Sequence, residues 1–140
     1  MADADLKIEG LRELNRALRT LPGVTANRVV PSAGRRSGNI FRKSWREAID
    51  RAGLVDTGAA RKAIKVRTRQ KGGTETIVTV HSGNAFYLMF HEFGTRFLAP
   101  NPTARTAYKN EKDHVVKAAG EFIFDGVEKE TRRLNPRGRR

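Results

Sequence analysis

The chain has 140 residues, enough for one domain with a modest core. Its hydrophobic fraction of 38% is low and its charged fraction of 31% is high, so either tails stay unpacked or neighbouring subunits complete the burial. The formal net charge of +13 predicts attraction to polyanions, nucleic acid foremost, and the lack of cysteine excludes disulfides and thiolate zinc sites.

The acidic opening Met1-Ala-Asp-Ala-Asp5 has no apolar core, so no signal peptide is expected. No apolar run approaches the roughly 20 residues of a membrane helix, so no membrane partner is expected. These features predict a protein made in a cytoplasm and used there, or packed into a particle assembled there.

Leu6 and Ile8 alternate like a short strand, and Leu11, Leu14, Leu18 and Leu21 recur at the spacing of an amphipathic helix. Pro22-Gly23 ends that helix. A second helical pattern covers residues 25–52, with the stripe Phe41, Trp45, Ala48, Ile49 and Ala52. Pro31, Gly34 and Gly38 predict a kink or a late start in its first half. Arg28, Arg35, Arg36, Arg42, Lys43, Arg46 and Arg51 stand against only Glu47 and Asp50, which makes this a basic helix.

Residues 56–62 look like a capped turn opening a short helix. An antiparallel hairpin is predicted at about 63–82. Its first strand puts Ile64, Val66 and Thr68 on one face and Lys65, Arg67 and Arg69 on the other. Thr76, Val78 and Val80 alternate on the second strand, Gln70-Lys-Gly-Gly73 makes the turn, and Gly83-Asn84 ends the pair.

The most apolar run is Phe86 to Thr95, which holds four of the ten aromatic residues. It reads as a buried hub, with Glu92 as a structural acid paired to an arginine of the same or a neighbouring subunit. Gly94 supplies a turn, and Ala99-Pro-Asn-Pro102 forms an extended elbow. Asn101 as N-cap and Pro102 in the first turn then open a long helix through Tyr108, Val115, Ala119, Phe122, Ile123 and Val127, to about residue 131. The organisation is one α+β domain over 1–131 with a flexible basic tail over 132–140, whose cations are Arg132, Arg133, Arg137, Arg139 and Arg140.

Several catalytic patterns are incomplete. Leu54-Val-Asp-Thr-Gly-Ala59 resembles the active-site loop of retroviral-type aspartic proteases, but a basic helix follows it and too few strands exist. Gly53 to Gly58 lacks the Gly-Lys-Ser/Thr of a phosphate loop. His91-Glu92 has no second histidine at zinc-protease spacing, and His81, His91 and His114 lie far apart. No catalytic residue, metal or cofactor is therefore expected. The basic segments suit phosphate contacts without sequence choice, because no zinc finger or aromatic RNA-binding sheet is legible.

The motifs occur in a familiar order. Ile8 to Leu18 reads apolar-Glu-Gly-Leu-x-Glu-Leu-x-x-Ala-Leu. A basic helix leads to Asp56-Thr57-Gly58 and then Arg61-Lys-Ala-Ile-Lys-Val66. Tyr87, His91-Glu92-Phe93-Gly94-Thr95 and the proline elbow follow. This order resembles the small tail-component, or neck, morphogenesis family of long-tailed bacteriophages over about residues 8–127. Ala60, Ala63 and Asn101-Pro102-Thr103 depart from the family's usual Leu, Ser and Pro-Phe.

The resemblance implies a non-enzymatic virion protein at the head–tail junction or the top of the tail. It implies α+β subunits in a ring, commonly a hexamer, around the DNA channel. The implied partners are head-stopper or adaptor proteins, tail-terminator or tail-tube proteins, and viral double-stranded DNA held without sequence preference. Lys65, Arg67, Arg69, Arg35, Arg36, Arg42 and the tail arginines are the candidate DNA or partner contacts. The rival expectation is a non-specific nucleic-acid-binding protein of a phage or mobile element.

Overall fold

A computed structural model describes residues 23–54, 58–70, 74–80, 83 and 85–134. The expected helix over 6–21, Asp56 and Thr57, most of the hairpin turn, His81, Asn84 and the tail arginines Arg137, Arg139 and Arg140 lie outside the described residues. The fold is α+β. In chain order the elements are helix α1 (Gly23–Arg51), short helix α2 (Ala59–Ala63), strands β1 (Ile64–Arg69) and β2 (Glu75–Val80), helix α3 (Tyr87–Phe93) and helix α4 (Thr103–Leu134).

The long helix α1 is the axis of the molecule. The expected late start does not occur, because the helix begins at Gly23 and runs unbroken for 29 residues through Pro31, Gly34 and Gly38. Pro31 has no N–H for the carbonyl of Asn27, four residues earlier. The Gln70 side-chain amide donates to that carbonyl at 2.8 Å and restores the lost bond from outside the helix.

The two glycines are packing positions. A Cβ at Gly38 would stand 2.8 Å from Val66 and 3.0 Å from Thr76, and one at Gly34 would overlap the Thr76 hydroxyl. Their absent side chains let the hairpin lie directly on the helix backbone.

The hairpin has the expected faces. Ile64 pairs with Val80, Val66 with Val78 and Thr68 with Thr76, and these pairs face α1. Lys65, Arg67 and Arg69 are exposed on the other face, opposite Thr79, Ile77 and Glu75.

Helix α4 runs antiparallel to α1. Val29 near the start of α1 meets Gly126 late in α4, and Trp45 late in α1 donates its indole N–H to the Thr103 hydroxyl at 3.1 Å. The helix continues to Leu134, so Arg132 and Arg133 belong to it rather than to a tail.

The core is one cluster of Trp45, Ala48, Ile49, Ala60, Ile64, Ala85, Leu88 and Ala107. Half of these residues are alanine, so the elements approach closely but each position buries little apolar area. The predicted stripe holds where it meets this cluster, because Trp45, Ala48 and Ile49 are all buried.

Candidate functional site

The segment from Ala85 to Arg105 joins the end of the core to the surface. Ala85 and Leu88 are buried, and Glu92 lies one turn beyond Leu88 with its side chain only 12% exposed. Phe86, Met89, Phe90 and Phe93 follow the same spacing one residue out of phase, and they face solvent. The expectation of a buried hub is therefore corrected. A helix of two turns presents only one stripe to the core, and here the aromatic stripe is the other one. Phe97 and Leu98 extend the exposed apolar surface past the turn.

Glu92 carries out two tasks. Its carboxylate accepts the backbone N–H groups of Ala104 at 2.9 Å and Arg105 at 3.1 Å, and so caps the first turn of α4. It also pairs with Arg105 Nε at 3.2 Å, while the same guanidinium donates to the Glu92 carbonyl at 2.6 Å. The expected arginine partner is present within the chain.

The expected capping by Asn101 is replaced, because Glu92 reaches the free N–H groups from α3 instead. The Asn101 backbone N–H donates to the His91 carbonyl at 2.6 Å, which folds the elbow back onto the end of α3. Gly94 has φ of 75°, as the turn requires. The Thr95 hydroxyl accepts from Phe97 N–H at 3.2 Å and holds the bend. Tyr87 is half-buried against the core cluster, and its ring stands edge-on to His91. Gly58 precedes α2 with φ of 73°.

The cations divide into separate surfaces. Lys65, Arg67 and Arg69 occupy the outer face of the sheet, turned away from α1. A second group sits where α1, α2 and β1 meet. Arg42 and Arg46 are one turn apart on α1. Arg46 donates to the Ile64 carbonyl at 3.5 Å, and Arg61 pairs with Asp50, one turn beyond Arg46, at 3.5 Å. Desolvation first, and then the charges of Arg42 and Arg61, hold the Arg46 guanidinium below its usual range. Its buried Nε has no hydrogen-bond partner among the described residues. This group has a surplus of positive charge, which suits a polyanion, while the buried Arg46 Nε is closed to solvent.

Three further cations expected to meet DNA or a partner make contacts within the chain. Arg36 stacks on Phe122 at 3.8 Å, Arg132 pairs with Glu128 and Arg133 with Glu130, while Arg35 is exposed on α1. Sequence patterns place Arg46 in the basic helix without singling it out, and they do not point to Arg61 as a contact. Their only signal there is the helical spacing of Arg42, Arg46 and Asp50, which says nothing of α2.

Among the described residues, no group of three His, Asp or Glu side chains is placed to hold a metal ion. His114 bonds Glu111 at 2.9 Å on the surface of α4. No helix among the described residues is long and apolar enough to cross a membrane. Comparisons with known protein families, with curated proteins and with solved structures find no match to this chain.

Proposed function

We propose that this chain is a structural subunit of a long-tailed bacteriophage particle, placed at the head–tail junction or the top of the tail. Copies of it form a ring through which double-stranded DNA passes. The subunit performs no catalytic step. It matches neighbouring rings, seals the joint and holds DNA loosely through its cations.

The observation that carries this reading is the exposed apolar surface of α3 and its turn. Phe86 is 62% exposed, Met89 62%, Phe93 69% and Phe97 92%. Scattered exposed apolar residues are ordinary, but a contiguous set of this size marks an interaction surface. The small alanine-rich core supports the same reading, since such a subunit gains burial from its neighbours. The cations on the outer sheet face and around Arg46 suit a polyanion that is conducted rather than read. The motif order from Ile8 to the proline elbow supplies the phage assignment.

The test is a particle preparation lacking this protein. Purified subunit is expected to restore the joining of heads to tails, and electron microscopy is expected to place it as a ring at that joint. Its binding to duplex DNA alone should be weak, steeply salt-dependent and indifferent to sequence. The cationic sheet face also favours a second reading, a non-specific nucleic-acid-binding protein of a mobile element. Tight duplex binding at near-physiological salt, with no protein in particles, would establish that reading instead.

A further inference from the structure

The exposed stripe Phe86, Met89, Phe90 and Phe93, with Phe97 and Leu98, is the largest apolar feature of the described surface. The four phenylalanines alone expose on the order of 600 Å², taking roughly 200 Å² for each ring side chain. A stable interface needs about 800 Å² from each partner. The patch therefore supplies most of one side of an interface.

Its rim is cationic. The Arg105 guanidinium lies over the Phe93 ring at 5.5 Å, and Arg96 lies over Phe97 at 5.6 Å. Beside it an open cleft of about 270 Å³ runs between α3 and the start of α4, lined mainly by apolar side chains including Trp45, Leu88 and Ala104.

A complementary surface lies on the same chain. Phe124 is 58% exposed on the outer side of α4. Glu121 and Asp125 flank it within one turn, both exposed, Glu128 one turn on is paired with Arg132, and no base stands among the neighbours of Phe124 at one, three or four residues. One turn earlier is Gly120. A Cβ there would meet nothing among the described residues, so their packing gives no reason for a mid-helix glycine. A close approach by another molecule would supply one.

The two surfaces cannot meet within one molecule. Phe124 is 21 residues beyond Thr103 in one continuous helix, about 31 Å along its axis. Patch-to-patch pairing is disfavoured, because it would set Arg96 of one copy against that of the other, while Arg105 is already balanced by Glu92.

Resting on the reading of this chain as a self-assembling subunit, we infer that the α3 patch of one copy takes the Phe124 face of a second copy, head to tail. Phe124 of the second copy enters the cleft beside Trp45, and its acids meet Arg96 and Arg105. A head-to-tail contact closes into a ring if the rotation permits.

Two full-length variants test this, each altered only at exposed positions. The first is Met89→Asp with Phe97→Asp, and the second is Phe124→Asp with Glu121→Lys. Circular dichroism and thermal melting check that both are folded. Their mass distribution is then measured by sedimentation at low and high salt.

The wild-type chain is expected to form salt-sensitive oligomers larger than dimers. Each variant alone should be monomeric. Their mixture should give a one-to-one dimer that grows no further, because only one intact pair of surfaces remains. Self-association of the Phe124 variant at the wild-type level would overturn the inference in favour of patch-on-patch pairing. Undiminished assembly by the patch variant would overturn it too. A mixture that stays monomeric while the wild type assembles would end the inference and leave the ring reading standing. A wild-type chain that is monomeric even at millimolar concentration would also end it, and entry of that chain into particles would then judge the ring reading separately.

Discussion

Glu92 illustrates how one side chain determines the path of the backbone. It ends α3 and begins α4, and the two helices are joined through its carboxylate rather than through the elbow between them. Its two bonds to backbone N–H groups are charge-assisted and its side chain is 12% exposed, whereas the Arg105 side chain is 59% exposed and the ion pair is screened. The cap should therefore outweigh the pair. Glu92→Ala is expected to cost about 2 kcal/mol in urea unfolding, the range for losing a cap and a charged hydrogen bond. Arg105→Met should cost under about 1 kcal/mol. Equal losses from the two substitutions would show that the ion pair dominates.

At the scale of elements, α1 is shaped by its neighbours. A proline and two glycines in a helix interior argue against the helix locally. Each is compensated by a contact from far along the chain. Gln70 supplies the donor that Pro31 lacks, and the hairpin fills the space above Gly34 and Gly38. The first compensation predicts a coupling. Gln70→Ala should cost about 0.5–1 kcal/mol in the wild-type background and close to nothing when Pro31→Ala restores the N–H, a difference that a double-mutant cycle reads directly.

The second compensation predicts a contrast between glycines. Gly38→Ala should destabilise by about 1–3 kcal/mol despite alanine's better helix propensity, because the sheet must move. Gly120→Ala, with open space around it, should stabilise the monomer by about 0.5–1 kcal/mol. Thermal melts at a concentration below assembly compare the two. A stabilising Gly38→Ala would mean that the hairpin does not press on α1.

At the scale of the whole molecule, two cationic groups and the aromatic patch occupy different elements. The sheet face carries Lys65, Arg67 and Arg69, the α1–α2 junction carries Arg42, Arg46 and Arg61, and the aromatic patch lies on α3. Under the proposed function the first two meet phosphates and the third meets protein. Lys65→Ala with Arg69→Ala, and separately Arg42→Ala with Arg61→Ala, should each lower the slope of log affinity for duplex DNA against log salt. The decrease should be about 0.9 for every phosphate no longer neutralised, with no change in sequence preference. An unchanged slope in both variants would remove these groups from the DNA surface.

Periodicity is enough for the elements that meet one neighbour with one face. The strand alternation of Ile64, Val66 and Thr68 and the stripe of Trp45, Ala48 and Ile49 are local patterns, and burial follows them. The same reasoning fails for α3, where 85, 88 and 92 make one helical stripe and 86, 89, 90 and 93 make another. A pattern with two apolar faces does not say which face the core takes. That choice belongs to Trp45, Ala104 and the start of α4, all distant in sequence. Likewise the order of residues is sufficient for the class of fold, the net charge and the pairing of Glu92 with some arginine. It takes the folded chain to make that partner Arg105, to turn the same acid into a helix cap, and to gather Arg46 and Arg61 at one junction. The reason is that a helix or strand records its own faces in its spacing, while the identity of whatever covers those faces depends on how the chain returns to them.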